Sequence, residues 1–418
     1  MYQIKCDGHL IYDPRSDELI VSNPKCKLEV NTVGEASFSI YASHPHYDKI
    51  EKLKSIIEII QDGEVIFKGR VTNDTKDFNN VKVVDVEGVM GYFNDSQFRP
   101  FSFPSDWLDM EEYIEAAKSG NVVEFFLNFI IGYHNSRVSI YNDLQTFKLG
   151  TVTVADPNNY ILRESKDYMS AWECIKTKLF DSSLGGYLCI RYEEDGNYID
   201  YLADFDETNT QTIKFGENLL DILRESDASD FFTAVVPLGA PWSEIEEGTD
   251  DSERLTIDNV EPHGRIDEDI IHVGDYLINR TLADEYGIIY APIADTTWDD
   301  VKDGSNLLQK GLDYLKNIGT KIANTITIKA IDLHFSDDEI EAFRIYRYVD
   351  VESKPHGFEG RYRLTKLEID IQNPQNTVIL LGDTQLSMTD VNANTKRESR
   401  ESITSVASSI KNESENLA

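Results

Sequence analysis

The chain has 418 residues, a length that indicates several domains, each with its own apolar core. Its Asp and Glu residues number 75 against 40 Lys and Arg, so the formal net charge is -35 at pH 7. Such a charge repels phosphate backbones and anionic lipid surfaces, which excludes a dedicated nucleic-acid binder. We interpret the acidity first as a solubility device.

The four cysteines are scattered along the chain: Cys6, Cys26, Cys174 and Cys189. They have no CxxC spacing and no partnered histidines, so they predict buried, reduced thiols and neither a zinc site nor a disulfide framework. The opening segment MYQIKCDGHLIYD lacks the apolar core of a secretion signal. No run is long enough to span a bilayer. We therefore expect synthesis in a cytoplasm.

Short strand-like runs separated by turn signals fill residues 1–97. Period-2 alternation is clear in Ala36, Phe38 and Ile40. Two tight turns are predicted, an Asp-Gly turn at 62–63 and an Asn-Asn turn at 79–80. About six strands in this length predict a small antiparallel β-barrel or sandwich.

The apolar period becomes helical between residues 98 and 212, with a break at Gly120. Tyr113, Ile114, Ala117, Val122, Val123, Phe125, Phe126, Phe129 and Ile130 carry this period. A further helix is predicted to begin at Ser165 or Asp167, with Met169, Trp172, Ile175 and Leu179 on one core-facing side. Two alternating runs around residues 194–197 predict a β-hairpin, so this region is expected to be an α+β module.

The segment from 241 to about 265 is acidic and predicts a surface loop. It lacks the spacing of a calcium loop, so no metal site is predicted. NLLQKGLDYLKNIG at 306–319 predicts an amphipathic helix ended by Gly319, and ITIKAIDLH at 326–334 predicts a strand. Further strand-length runs follow, closing with a turn at 373–376 before TVILLG.

The composition shifts to Ser, Asn, Thr and Glu after Gly382. The remaining apolar residues are Ile403, Val406, Ile410 and Leu417, whose spacing fits a weak heptad seam. Two interpretations stay open for residues 387–418: a short helical stalk that trimerises when neighbouring domains hold three copies together, or a flexible linker.

Several strings in this order resemble prophage tail proteins of the tail-associated endopeptidase family. They are FTAVVPLGA at 232–240, DEYGIIY at 284–290, NLLQKGLDYL at 306–315, ITIKAIDLH at 326–334 and KLEIDIQNPQNTVILLG at 366–382. The run from Val65 to Asp95 is similar to the opening barrel of that family. The chain departs from the family at 343–351, where a Gly-Asp pair is common and this sequence has FRIYRYVDV, which leaves the role of that turn open.

The resemblance implies a baseplate-hub architecture, in which two β-barrel domains per chain alternate around a homotrimer and continue the tail tube. The expected fold is multidomain and mainly β with α+β parts. The expected divisions are a first barrel at 1–97, an α+β domain at 98–212, a second barrel at 213–240 plus 320–386, an inserted loop and helix module at 241–319, and the stalk or linker at 387–418. In such a ring the acidity would suit a lumen that passes DNA without gripping it.

The partners implied by the resemblance are further copies of the chain, a distal tail protein and a tape measure protein. Host peptidoglycan or a surface glycan would be contacted through appended domains. The expected location is the tip of a virion tail, assembled in the bacterial cytoplasm. Neither a cofactor nor a membrane span is expected.

The family name implies a peptidase, but the sequence contains no complete catalytic motif. The only close histidine pair is His44 and His46, separated by a proline that disfavours a metal-binding helix. Cys174 falls within a predicted helix among apolar residues and is interpreted as core. No GxSxG, SxxK or P-loop occurs, and the glycines at 185–186 and 88–91 have strand and turn contexts. We therefore predict no catalytic, cofactor-binding or metal-binding residue.

Two rivals to a structural hub remain at this stage. One is a tail-associated peptidoglycan hydrolase, because 75 acidic residues make a chance carboxylate pair easy to form. The other is a glycan receptor-binding module, because Trp107, Trp172, Trp242 and Trp298 are residue types that stack on sugars, although core packing is their commoner use.

Overall fold

The computed structural model describes residues 1–140, 143–156, 163–180, 184–227, 231–245, 253–299, 301–316, 323–335 and 340–382. Most of its regular structure is β. The strands are β1 (Tyr2–Cys6), β2 (His9–Tyr12), β3 (Ser22–Glu29), β4 (Glu35–Ile40), β5 (Ile56–Gln61), β6 (Glu64–Lys76), β7 (Lys82–Gly88), β8 (Gln97–Phe98), β9 (Phe101–Phe103), β10 (Phe147–Val152), β11 (Arg163–Ser165), β12 (Met169–Ser170), β13 (Tyr187–Glu193), β14 (Gly196–Leu202), β15 (Thr208–Lys214), β16 (Leu219–Asp227), β17 (Ala234–Val235), β18 (Gly264–Arg265), β19 (Ile270–Val273), β20 (Tyr276–Asn279), β21 (Ala323–Ala330), β22 (Tyr348–Ser353), β23 (Phe358–Asp370) and β24 (Val378–Gly382). The α-helices are α1 (Glu111–Ser119), α2 (Val122–Val138), α3 (Ala171–Ile175), α4 (Arg280–Tyr286) and α5 (Gly304–Tyr314).

One large sheet of 13 strands joins the two ends of the described chain. Its main order is β16-β21-β24-β23-β3-β4-β7-β6-β5-β1-β2, and β22 pairs with β23 and β15. The join lies between β23 and β3, where Ile369 is opposite Cys26. The strands that the sequence assigns to two separate barrels are therefore hydrogen-bonded in one sheet. The domain divisions drawn from the sequence stay a prediction.

Strict alternation gives this sheet one apolar face and one polar face. In β7, Val84 and Val86 are buried while Asp85 and Glu87 point to the opposite side. The buried face forms a single core to which the N-terminal and C-terminal strands both contribute, with Phe38, Ile57, Phe67, Ile328, Leu367 and Ile379 among its members. A shared core of this kind makes the two sets of strands one packing unit.

The predicted Asp-Gly turn is confirmed by its backbone angles, whereas β6 and β7 are joined by a longer loop in which Asn80 alone of the two asparagines has a positive φ, 59°. Asp62 and Gly63 have φ values of 54° and 91°, the pair of left-handed residues that a type I′ turn requires between β5 and β6. The β13–β14 hairpin closes at Glu193 and Gly196, as the run at 194–197 predicts. A short helical turn at Pro374–Asn376 links β23 to β24.

The middle region packs α1, α2 and α3 with the three-stranded sheet β10-β14-β13 around its own core. Gly120 ends α1 with a φ of 86°, as the break in period predicts. The expected helix start at Ser165 or Asp167 is wrong. Ser165 ends β11, and the helix begins after Ser170, whose side chain accepts a hydrogen bond from the Glu173 amide at 3.1 Å. Met169 consequently belongs to β12 and not to the helix.

The region between β17 and α5 forms a four-stranded sheet, β17-β20-β19-β18, with α4 and α5 packed nearby. The helix predicted at 306–319 begins earlier, because Asp303 caps it through a hydrogen bond from the Asn306 amide. The strand predicted at 326–334 is shorter at its end: β21 stops at Ala330 and a helical turn covers Leu333–Phe335. Residues 246–252, 317–319 and 387–418, which include part of the acidic loop, Gly319 and the heptad seam, lie outside the described residues. Among the helices described, none is long and apolar enough to cross a membrane.

Candidate functional site

The polar face of the large sheet is concave. Residues of β24, β23, β3, β4, β7 and β6 line a cavity of ≈ 830 Å³ on this face, which we call the sheet groove. A wide concavity with charged side chains along it is a surface for contact or passage and not a missing piece of core.

Charged side chains line the sheet groove because they occupy alternate positions on adjacent strands. The acids are Glu35, Asp85, Glu87, Glu368 and Asp370, and the bases are Lys25 and Lys27. Lys27 pairs across strands with Glu35, whose carboxylate oxygen lies 3.3 Å from the Lys27 Nζ, and along its own strand with Glu29 at 3.6 Å. Arg70 pairs with Glu87 at 3.0 Å and Lys366 with Glu368 at 2.7 Å, so the lining keeps a small excess of negative charge.

The neighbouring carboxylates keep the Lys27 side chain in the sheet groove positively charged. Burial alone would lower the pKa of its ammonium group, but Glu29 and Glu35 outweigh burial and raise that pKa above its usual range. The lysine therefore keeps its charge over the whole working range of pH. Exposed pairs of this kind contribute little stability, about 0 to 1 kcal/mol each, so their arrangement matters more for surface potential than for folding.

A second polar cluster lies at the seam between the β5–β6 turn and the segment before β22. The His334 ring lies between Asp62, whose Oδ2 is 2.7 Å from Nε2, and the Ile340 carbonyl oxygen, 2.5 Å from Nδ1. Arg344 donates to Glu64 at 2.8 Å. Burial alone would raise the pKa of Asp62, but the Met1 amino group and His334 lower it. The cluster holds the first and last thirds of the described chain together.

The middle region joins the large sheet through a separate set of contacts. The side-chain amide of Asn31 donates to the Gly186 carbonyl at 3.0 Å, and its oxygen accepts from the Leu188 amide at 2.7 Å. Arg363 makes a bidentate pair with Asp204 at 2.8 and 2.7 Å. Beside it, Tyr346 has a φ of 65° at the point where the sequence departs from the family pattern. Its ring packs near Phe205 in a small junction core.

The comparisons with known proteins agree with this architecture. Residues 206–392, a little under half of the chain, match the family model described as prophage endopeptidase tail. The chain is a phage tail protein. The matched range contains every string of the second half that carries the resemblance in the sequence, from 232–240 to 366–382. A comparison with curated proteins finds no match.

Solved structures show that the tail protein shares the fold of other tail proteins. Prophage tail protein gp18 from Listeria monocytogenes EGD-e has a TM-score of 0.52 and 9% sequence identity, over 95% of this chain and 98% of its own. The tail protein from Neisseria meningitidis MC58 has a TM-score of 0.52 and 10% identity, over 93% of this chain and 98% of its own. At these identities the likeness concerns the fold alone.

The family description names an endopeptidase, so we searched the described residues for hydrolytic groups. Two serine–histidine contacts occur. Ser353 Oγ lies 2.6 Å from His356 Nδ1, and Ser96 Oγ lies 2.8 Å from His134 Nδ1. Both serines are buried, with at most 2% of their surface exposed, so neither hydroxyl is presented to a peptide. Burial lowers the pKa of His134, which favours a neutral ring.

The cysteines and the His44–His46 pair lie in environments that explain them as structural residues. All four cysteines are free and buried, as the sequence predicts. Burial raises the pKa of Cys174 to about 12, which removes it as a nucleophile near neutral pH. Both ring nitrogens of His44 are occupied, one at 2.9 Å from the Ile11 carbonyl oxygen and one accepting from the His46 amide at 3.0 Å. Among the described residues no group of three or more His, Cys, Asp or Glu could hold a metal ion.

The four tryptophans are half-buried and pack against the two smaller cores. Trp107 and Trp172 contact the core of the middle region, and Trp242 and Trp298 contact that of the inserted region. None of them stands on a fully exposed face where a sugar ring would stack. Sequence reasoning missed the sheet groove itself, because its lining comes from strands more than three hundred residues apart.

Proposed function

We propose that the tail protein is the structural hub of a tail tip, in which three copies close a ring that joins the tail tube to the tip. In this arrangement the large sheet of each copy forms part of the ring wall. The middle and inserted regions project outward, and residues after about 387 lead to a stalk or to appended cell-wall-degrading or receptor-binding parts.

The observation that carries the proposal is the continuous sheet with a polar, acidic and concave face. A sheet that is concave on its charged side has the shape of a wall segment, since its apolar side already packs on a core within the same chain. Closing several such segments around an axis would place the groove on an inner surface. Rings of this type arise from cyclic symmetry with heterologous contacts.

The charge of the groove fits a passage for DNA. Five acids and two lysines line it, and the whole chain carries a formal charge of -35. A negative lumen repels the phosphate backbone, so DNA would slide through without being held. The proposal therefore assigns the acidity a role in addition to solubility.

The first test is the oligomeric mass of the purified chain by multi-angle light scattering over a range of concentrations, with peptidoglycan turnover measured on the same sample. A trimer without turnover supports the hub. A monomer at every concentration contradicts it, and a monomer that releases peptides from peptidoglycan would establish the hydrolase instead. No observation in the described residues favours the hydrolase or the glycan-binding module at present.

A second test addresses the groove. The triple variant Glu35→Lys, Asp85→Lys and Glu368→Lys reverses the charge of the sheet groove, and Glu111→Lys, Glu112→Lys and Glu115→Lys makes the same change of charge on α1. If the groove lines the lumen, the first variant binds short duplex DNA about tenfold more tightly than the second, with a steeper salt dependence. Equal DNA binding by the two variants would contradict the proposal that the groove lines the DNA passage.

A further inference from the structure

The segment 286–290, with the sequence YGIIY, runs along the edge of the small four-stranded sheet. The Ile289 carbonyl accepts from the amides of Thr233 and Ala234 at 2.8 and 2.9 Å, and the Ala291 amide donates to the Ala234 carbonyl at 2.9 Å. Ala234 and Tyr290 thereby form a parallel bridge beside β17. The segment therefore leaves α4 at Tyr286 and joins the sheet through this single bridge, and we call residues 286–290 the YGIIY edge.

The outer side of the YGIIY edge carries main-chain groups with no partner in the described parts of the chain. In a parallel bridge of this form, the amide and carbonyl of Tyr290 point away from β17. The same alternation turns those of Ile288 outward. An open strand edge is a ready template for pairing with another strand, and proteins usually protect such edges with charges, proline or a covering loop.

The side chains on this edge are apolar and exposed. Tyr286, Ile288, Ile289 and Tyr290 are 48%, 57%, 39% and 50% exposed, and Ile293 just beyond them is 50% exposed. Single exposed apolar residues are ordinary on protein surfaces, but five within eight residues form a patch. The patch coincides with the string that helps to carry the family resemblance at 284–290, and it shares no residue with the sheet groove.

The acidic residues around the YGIIY edge indicate the charge that a binding partner should carry. Residues 253–316 contain 14 Asp and Glu against six Lys and Arg. Asp284, Glu285 and Asp295 lie next to the patch in sequence, and Arg280, the nearest base along the chain, pairs with Asp284 at 3.8 Å. A second copy of this region would bring acid against acid, which disfavours self-pairing. A segment that alternates apolar and basic residues would match both the edge and its rim.

We propose that the YGIIY edge is a docking site for an extended segment of a different protein, in which apolar side chains alternate with Lys or Arg. The segment adds a strand outside Ile288 and Tyr290, so that main-chain hydrogen bonds supply affinity and the isoleucines and tyrosines supply specificity.

The test uses the full purified chain as bait and a displayed library of random dodecapeptides as the probe. Three baits are compared: the unchanged chain, Ile288→Asp, and the matched control Ile140→Asp, which places the same substitution at a residue that is 70% exposed in the middle region. Both variants are first checked for an unchanged Tm, since neither side chain is buried. We expect the unchanged chain and Ile140→Asp to enrich the same peptides.

The enriched peptides are expected to alternate apolar and basic residues and to bind Ile288→Asp about tenfold more weakly in solution. A single proline at a position that pairs with the edge should abolish binding, because proline has no amide hydrogen to donate. Enrichment of peptides without basic residues, equal binding to Ile288→Asp, or tolerance of proline at every position would each overturn the proposal. Failure to enrich any peptide on the unchanged chain would do the same.

Discussion

Two joins in the molecule are built in different ways. The N-terminal and C-terminal strands meet at β3 and β23 through a hydrogen-bonded ladder above a shared apolar core. The middle region meets the same sheet through Asn31, through the Asp204–Arg363 pair and through a small junction core. The first join makes one structural unit from distant parts of the sequence, whereas the second attaches a region that already has a core of its own.

This difference predicts how the two joins respond to the substitution of their side chains. Loss of a side chain in the shared core removes packing from both sets of strands, so both should lose protection together. Loss of a contact at the second join should loosen the attachment and leave the sheet intact. The following predictions test that contrast, beginning with the largest expected effect.

Ile369→Ala should destabilise the whole large sheet. The side chain is 2% exposed and belongs to the shared core, directly at the β23–β3 join. Removing its buried methylene and methyl groups should lower the free energy of unfolding by about 3 kcal/mol, through lost burial and the cavity left behind. Chemical denaturation measures the loss, and hydrogen exchange should accelerate in β4 and in β24 alike.

The matched control is Val378→Ala, which shortens a half-buried residue on the polar face of the neighbouring strand. It should change the free energy of unfolding by less than about 1 kcal/mol. If Ile369→Ala accelerated exchange in the C-terminal strands alone, the two sets of strands would be separate folding units, as the two-barrel division of the sequence predicts.

Asn31→Gly should weaken the attachment of the middle region by about 2 kcal/mol, because it leaves the buried Leu188 amide and Gly186 carbonyl without their partners. Glycine is chosen because Asn31 has a φ of 58°, which other residues adopt with strain. Faster hydrogen exchange in β13, with unchanged exchange in β3 and β4, is the expected result.

Asn23→Gly is the control for this change. Asn23 is exposed and has a φ of 51°, so the substitution removes the same side chain from the same backbone conformation without touching the middle region. Equal effects of the two variants on β13 would show that backbone freedom, and not the Asn31 side chain, governs the attachment.

Local structure could be predicted from the sequence where a short-range rule decides it. The Asp62-Gly63 turn, the end of α1 at Gly120 and the β13–β14 hairpin follow from residues close together in the chain. The predicted start of α3 was wrong because Ser165, Asp167 and Ser170 are all residue types that cap helices. Ser165 instead lies in β11, which pairs with β9, and Ser170 caps the helix.

Long-range pairing could not be predicted in the same way. Alternation shows that β3 and β23 each have an apolar face, but it does not name the strand that lies beside them. The sheet groove depends on that pairing, so neither its position nor its charge pattern was accessible to sequence reasoning. The exposed YGIIY edge was equally hidden, since DEYGIIY has the apolar content of a buried strand.

The smallest expected effect concerns the Asp204–Arg363 pair, and it depends on pH. Burial alone would raise the pKa of Asp204, but hydrogen bonds from Arg363 and Tyr348 lower it to about 2, against 3.8 in the unfolded chain. A lowered pKa means that the folded state prefers the charged carboxylate. The stabilisation is therefore complete above the unfolded pKa and is lost as the pH falls towards the folded one.

Asp204→Asn should lower the free energy of unfolding at pH 7 by about 1 kcal/mol. The full shift would correspond to about 2 kcal/mol, and we reduce it because 46% of the carboxylate side chain is exposed to screening by solvent. Denaturation at a series of pH values should show the difference from the unchanged chain shrinking between about pH 5 and about pH 2. Asp17→Asn, at an exposed site in a loop, should show no comparable loss at neutral pH. A deficit for Asp204→Asn that stayed constant across that window would mean that the second join depends on the shape of the hydrogen-bonded pair and not on its charge.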